Sequence, residues 1–565
     1  MASGKDGAAA GVSGVSSAYS TALAARRRSY GPNTSLSYEQ PLMIVRGHGT
    51  YLYDDQGVQY LDCINNVSHV GHANAEVAAS ASAQLHTLNT NSRYLHPDLP
   101  LYTELLLSTL NSTSDKSLHS GNKGSSAGGC SDISDGCGSG GGNCSRGGYS
   151  GSNTRRSSSS SNVTFPGIQP QSQPQCQQQQ QSQPPSSSPT ISQPNLEVLY
   201  LVCSGSEAND LALRIIAAAR PGATHIAVMG GAYHGHTSAL IQVSPYKFWG
   251  QGGTGRQPHV HVVPCPDPYR GDNLDGRAAA RAALAAAARA GGQLGAFLCE
   301  SVLSCGGQVV LPQGYLKELY DELRSAGVLL VADEVQCGFG RCGRAFWGFQ
   351  TQGVAPDIVT MGKPIGNGYP LAALATTREL AAAFSAPGME YFNTYGGSTA
   401  AVAAGLAVLR VIQRDGLQHH AQRVGEFILS GLRRLRATYE VVGDVRGLGL
   451  FLGIEIVRDK ASKRHAPATA RWLKERMKAR RVLLSTDGPY DNVLKIKPPL
   501  VFGIREAEML LGQLSEVLER ELTADVLHQL NQREDEVWAS VYGPRYLQYR
   551  ENERMLYSGL PHARL

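Results

Sequence analysis

The chain has 565 residues, 42% hydrophobic and only 17% charged, with a formal net charge of +5. That length accommodates two or three domains around a large core. The weak charge, with no stripe interleaving Lys/Arg and aromatics, excludes a nucleic-acid-binding surface, and the lack of an apolar run of about 18 residues excludes a membrane span.

The N-terminal stretch is rich in Ala, Ser and Gly and contains Arg26, Arg27 and Arg28. It lacks the apolar segment of a secretion signal, so the expected location is the mitochondrion or the cytoplasm, and residues 1–21 are predicted to be a disordered tail. From Tyr38 to Val70 the run MIVRGHGTYLYDDQGVQYLDC reads as short strands, with Asp55-Gln56-Gly57 as a turn between two of them. Residues 112–195 form a low-complexity block containing GSGGGN, RRSSSSS and QCQQQQQSQPP. Such a composition buries too little apolar surface to offset chain entropy, so the block is predicted to be a disordered surface insertion whose deletion leaves activity intact.

From Leu196 to about Ala375, LEVLYLV, HIAVMG, VHVVP, GAFLCES, GVLLVADE and DIVTMG alternate with helical stretches such as EANDLALRIIAAAR and GRAAARAALAAAARA. Short, apolar, β-branched runs suit strands covered on both faces, and the alternation predicts an α/β doubly wound, mostly parallel sheet. From about Ser398 to Arg520 the order helix, short strands, helix suits a smaller α+β domain. The segment after Thr523 is charged and aromatic. None of the 11 cysteines forms a CxxC pair. Seven lie in ordered-looking segments and read as buried thiols of a reducing compartment, whereas Cys130, Cys137, Cys144 and Cys176 lack the close spacing of a zinc site.

Three segments carry candidate chemistry. In VCSGSEAND a strand ends and a helix begins, with Ser204 and Glu207 at capping-box spacing; the free N–H groups of such a helix start suit a phosphate, although an ordinary capped helix looks the same. In VLLVADEVQCGFG an apolar strand ends in Asp333-Glu334, where a parallel sheet opens its ligand crevice; a carboxylate there can hold a protonated ring nitrogen or be a solvated strand-end acid. In DIVTMGKPIGNGYP a strand delivers Lys363 into a Gly-rich turn, where its amine can form a Schiff base with a carbonyl or lie on the surface. The His234/His236 pair and His69 and His72 read as structural or pocket-lining rather than metal-binding.

In this order, GSEAND, AYHGHT, ADEVQCGFGR, MGKPIGNGYP and NTYGGS resemble the class-III aminotransferases, from about residue 22 to 520 without the insertion. The resemblance implies a pyridoxal 5'-phosphate (PLP) enzyme of fold type I. Its large PLP-binding domain spans 101–397, its small domain 398–522 with help from 22–100, and 523–565 is an extension. Lys363 carries the coenzyme as a Schiff base, Asp333 pairs with the ring nitrogen, and Gly205 and Ser206 hold the phosphate. Tyr233 and Val335 cover the two ring faces, and Gln336 lies near the ring hydroxyl. Thr394 reaches the phosphate from a neighbouring subunit, which implies a homodimer or larger homo-oligomer.

YLDCINNVSHVGH, LNTNSRYLH, SPYKF, GGQVVLPQGY, VRGLGLFLGIE and LLSTDGP with LKIKPP further resemble the branch of phospho-lyases acting on phosphoethanolamine or 5-phosphohydroxylysine. Many transaminases of the class carry E-P-I-x-G-E, whose second Glu masks an arginine. Here ESVLSCGG places Cys305 at that Glu, so Arg446 in DVRGLGLF is expected to be unmasked and open to a substrate anion. Arg93, Lys247 and Lys495 or Lys497 are the further candidates for holding the substrate phosphate. The resemblance thus implies a phospho-lyase taking phosphoethanolamine, with an ω-amino-acid or alanine–glyoxylate transaminase as the alternative.

Overall fold

The structure, a computed structural model, describes residues 17–111 and 193–558. The low-complexity block up to residue 192, its cysteines, and the first 16 and last seven residues lie outside the described residues. The two edges of the block are side by side: the Asn111 side chain donates to the Leu196 carbonyl at 2.8 Å and accepts from its N–H at 3.1 Å.

Among the described residues, seven strands form the central sheet, in the order Val198–Val202, Ala372–Thr376, Ile358–Met361, Leu329–Asp333, Leu294–Glu300, His225–Met229, Val260–Val263. All six strands read from the sequence are present and run parallel; the seventh, Ala372–Thr376, is antiparallel to both neighbours. Its sequence AALAT lacks the β-branched signature, and its place is decided by burial on both faces. Every residue of Leu294–Glu300 is likewise buried, which explains the unbroken apolar run.

Helices Gly205–Ala219 and Gly276–Arg289 form where EANDLALRIIAAAR and GRAAARAALAAAARA predict them. In the second, alanines dominate the buried face, which strengthens the helix and lets it lie close on helix Tyr315–Ser325. Two antiparallel-rich sheets flank this core. One joins Ile44–His48, Tyr51–Asp54 and Gln59–Asp62 to Val482–Leu483; the other orders Val442–Leu448, Phe451–Ile456, Val493–Ile496 and Ser485–Asp487.

One expectation about the ends needs correction, and the far end adds a packing the sequence reading left open. Ser17–Ser29 is helical rather than part of a disordered tail, because its Ala- and Arg-rich run has high intrinsic helix preference; the Tyr19 hydroxyl donates to the Pro41 carbonyl. The extension after Thr523 is docked along the core. The buried Glu534 carboxylate accepts from the Ala468 and Thr469 N–H groups at 3.0 and 2.8 Å, capping helix Pro467–Ala479 from outside. Asn552 donates to the Val262 carbonyl, the Tyr542 hydroxyl donates to Asp491, and Trp249 meets Tyr549 edge-on at 4.6 Å. Glu534→Ala strands two buried N–H groups and is expected to cost about 1–3 kcal/mol, read as a lowered Tm. An unchanged Tm would show that the extension does not brace the core.

Candidate active site

The Leu329–Asp333 and Ile358–Met361 strands are parallel neighbours, with Asp333 opposite Thr360. Their carboxyl ends therefore open into one crevice, and Lys363 enters it just past the second strand. The crevice is a cavity of about 390 Å³ whose lining includes Gly205, Ser206, Tyr233, Asp333, Val335, Gln336 and Lys363. All seven were singled out from the sequence.

Lys363 adopts φ +37°, which a side chain bearing Cβ rarely tolerates; the surrounding fold imposes it. The imposing contact is close. A Cβ on Gly362 would stand 3.2 Å from the Gly205 nitrogen, and a Cβ on Gly205 would stand 2.8 Å from Val335 Cγ2. Strand end and helix start therefore abut backbone to backbone, which only glycine permits. The Lys363 amine has no hydrogen-bond partner among the described residues.

Helix Gly205–Ala219 starts on Ser204, whose hydroxyl accepts from the Glu207 N–H at 3.2 Å; Glu207 reaches back to the Cys203 N–H at 2.7 Å. This is the predicted capping box displaced by one residue. Gly205 and Ser206, which line the cavity, are the first two residues of this helix, where backbone N–H groups have no intrahelical acceptor. Gly235, at φ +141°, lies so close that a Cβ there would approach the Ser206 hydroxyl to 2.8 Å.

Asp333 is 2% exposed and lies in a built hydrogen-bond network. Its Oδ2 accepts from Asn209 Nδ2 and from His234 Nδ1, both at 2.8 Å, and its Oδ1 accepts from the Val335 N–H at 3.1 Å. Asn209 is itself oriented, since its Oδ1 accepts from the Thr360 hydroxyl at 2.7 Å. Asn209 is a site residue that the sequence reading missed; the available signal was a polar residue on the buried face of an otherwise apolar helix. His234 was read only as structural or pocket-lining, without its partner Asp333. His234 is thus turned to Asp333, while His236 is exposed. The neighbouring Glu334 is buried too, but faces away, accepting from the Gly348 and Phe349 N–H groups at 2.7 and 2.8 Å. Glu300, beside Asp333 in the sheet, has its carboxyl pushed up by burial and by the Asp333 charge.

The expected anion-binding residues fare differently. Arg446 is not unmasked. Its guanidinium donates to Glu455 at 2.6 Å, to Asp444 at 3.0 Å and twice to the Gly307 carbonyl, and it does not line the cavity. Loss of a glutamate at Cys305 is offset by acids on its own sheet, which burial of a guanidinium demands. Arg93 is paired with Glu390 at the surface, also away from the cavity. Lys495 is paired with Asp487 at 2.9 Å. Lys497 is buried behind Gln336 rather than open to the cavity. Lys247 is half-buried, makes no ion pair among the described residues, and sits 5.6 Å from the centre of the Tyr233 ring. Thr394 is exposed, next to Asn393, which donates to Glu207.

An amine with no partner among the described residues, a buried carboxylate and a glycine-lined helix start in one cavity fit PLP, whose aldehyde, ring nitrogen and phosphate need those three groups. Fold and donor set together define a fold type I PLP enzyme. The chain matches the model of the family "Aminotransferase class-III" over residues 156–518, and it belongs to that family. It is 39% identical to a Drosophila melanogaster protein named "Alanine--glyoxylate aminotransferase 2-like", over 86% of this chain and 85% of that protein. It is 34% identical to the Caenorhabditis elegans "Ethanolamine-phosphate phospho-lyase homolog 1", over 88% and 92% respectively. Among solved structures, an Arthrobacter phospholyase in complex with phosphoethanolamine is 36% identical, with a TM-score of 0.68, over 88% of this chain and 99% of that one. Among the described residues no helix is long and apolar enough to cross a membrane.

Proposed function

We propose that the chain is a PLP-dependent phospho-lyase that converts O-phosphoethanolamine and water to acetaldehyde, ammonia and phosphate. The observation that carries this reading is the engagement of Arg446: with its guanidinium held by Glu455 and Asp444, the cavity lacks the arginine that an amino-acid carboxylate requires. Phosphoethanolamine brings no carboxylate, whereas 5-phosphohydroxylysine does and ranks second. The Arthrobacter relative, whose structure contains phosphoethanolamine, supports the same substrate.

In this reading Lys363 carries the coenzyme, Asp333 faces its ring nitrogen, Gly205 and Ser206 hold its phosphate, Tyr233 and Val335 cover its ring, and Gln336 meets its hydroxyl. The coenzyme, when bound, supplies a sink for the electron pair left behind by a removed proton. The Lys363 amine takes that proton from the carbon bearing the substrate nitrogen. Lys247, the cation near Tyr233 without a carboxylate partner among the described residues, faces the substrate phosphate and stabilises its departure from the adjacent carbon. A homo-oligomer is part of the reading, with the exposed Thr394 completing a neighbouring subunit's phosphate site.

Purified holoenzyme given phosphoethanolamine and no keto acid is expected to release phosphate and acetaldehyde in equal amounts. The second reading, an alanine–glyoxylate type transaminase, is favoured by the name of the Drosophila relative. Turnover only when glyoxylate or pyruvate is added would establish it instead. Lys247→Met is expected to raise KM for phosphoethanolamine about tenfold while leaving coenzyme binding unchanged; an unaltered KM removes Lys247 from the phosphate site.

A further inference from the structure

Lys497 is 1% exposed and has no carboxylate partner among the described residues. Its amine donates to the Ser304 hydroxyl at 2.5 Å and to Gln336 Oε1 at 3.1 Å. The same Gln336 oxygen accepts from Asn66 Nδ2 at 2.8 Å. This doubly occupied oxygen settles which way the Gln336 amide points. A lysine amine brings hydrogens to the contact, so the atom facing it is the carbonyl oxygen and not the NH2 group. The Gln336 NH2 therefore has no partner among the described residues, and Gln336 lines the Lys363 cavity. Buried amides are ordinarily satisfied at both ends. An amide clamped at its oxygen and bare at its nitrogen is set to donate to an oxygen that enters the cavity.

We infer that Lys497 is a positioning residue: with Asn66 it clamps Gln336 so that the amide N–H groups face the cavity and donate to the ring oxygen of the bound coenzyme. The inference rests on the PLP reading given above. A positive amine behind the amide also polarises it, strengthening its N–H groups as donors to an anionic oxygen. Burial and the neighbouring Lys495 pull the Lys497 amine well below the usual lysine range, opposed by Asp487 and the Cys305 thiol. Even unprotonated, the amine keeps two N–H donors, enough for both of its contacts. Ser304 anchors the far side, because its N–H donates to Glu300 at 3.0 Å and its carbonyl accepts from Gln308 at 2.8 Å. The amine that resembled a substrate ligand in LKIKPP thus acts one residue removed from the cavity.

The test uses the full-length holoenzyme and two readouts, the position of the visible absorption band of the bound coenzyme and its dissociation constant by equilibrium dialysis. A coenzyme band in the unaltered protein upholds the PLP reading independently of what Lys497 does. Lys497→Met, which keeps the volume and removes the donor, is expected to displace the band and weaken coenzyme binding about tenfold. Asn66→Ala, expected to fold even if Lys497→Met does not, displaces it in the same direction by less. In a Gln336→Ala background both changes are expected to add nothing further, since they act only through that amide. An unmoved band and affinity in both single variants, or full additivity with Gln336→Ala, would overturn the inference.

Discussion

Lys363→Ala is expected to abolish borohydride-trappable coenzyme on the polypeptide and to lower turnover by at least about a thousandfold, because in the proposed reading one amine serves as both covalent anchor and proton acceptor. The size of the effect follows from the position. Lys363 is held at φ +37° by backbone packing between Gly362 and Gly205, so no neighbouring amine is delivered to the same place. Lys497 is spoken for by Ser304 and Gln336, and Lys247 lies beyond Tyr233. Lys363→Arg keeps the charge but supplies no nucleophile at neutral pH and is expected to fail equally. Alanine preserves the backbone requirement no better than lysine, so Tm is expected to change little and the loss to be chemical. Coenzyme still trapped on the Lys363→Ala chain, or turnover within tenfold of the unaltered enzyme, would refute the assignment.

The parts of this fold legible in the sequence are those where one local rule dominates. Six strands of the central sheet announce themselves because burial on both faces demands unbroken apolar runs, and Ser204 with Glu207 signals the helix start through capping alone. The seventh strand, AALAT, was illegible because alanine is a helix former, and only the slot between Val198–Val202 and Ile358–Met361 makes it a strand. The same division runs through the site. Lys363 and Asp333 sit at strand ends flanked by diagnostic residues. Asn209 and His234 become partners of Asp333 only when segments 124 and 99 residues away are brought together. Arg446 shows the limit most clearly: the family resemblance pointed to the arginine and to the absent glutamate at Cys305, but Asp444 two residues back and Glu455 across the hairpin pair with it, in a register that no sequence pattern signalled. The docking of the 523–558 segment was also invisible, since nothing local pairs Trp538, Tyr542 and Tyr549 with their counterparts Tyr490, Asp491 and Trp249.

Asp333→Asn is expected to lower turnover about a hundred- to thousandfold while retaining the fold, because it removes the carboxylate charge and one of the three hydrogen bonds around it. The three donors around Asp333 explain why asparagine is a poor substitute. Its single carbonyl oxygen can still accept from Asn209 and His234, but its NH2 group then faces the Val335 N–H, donor against donor, where Oδ1 accepted before. The hydrogen bond from Val335 is lost in a buried setting, and with it the negative field that in the proposed reading would keep the coenzyme's ring nitrogen protonated. A second consequence is measurable at Glu300. Its carboxyl is raised first by burial and then by the Asp333 charge, so removing that charge is expected to return it towards the ordinary carboxylate range, visible as a shifted carboxyl titration in difference infrared spectra. Glu334→Gln supplies the contrast. Its carboxylate is committed to the Gly348 and Phe349 N–H groups on the far side of the strand, so the substitution is expected to lower Tm and leave kcat nearly unchanged. Two adjacent buried acids at one strand end thereby separate by direction alone. If Glu334→Gln cost as much turnover as Asp333→Asn, the strand end would be acting as a rigid support, and the charge at Asp333 would not be what drives the chemistry.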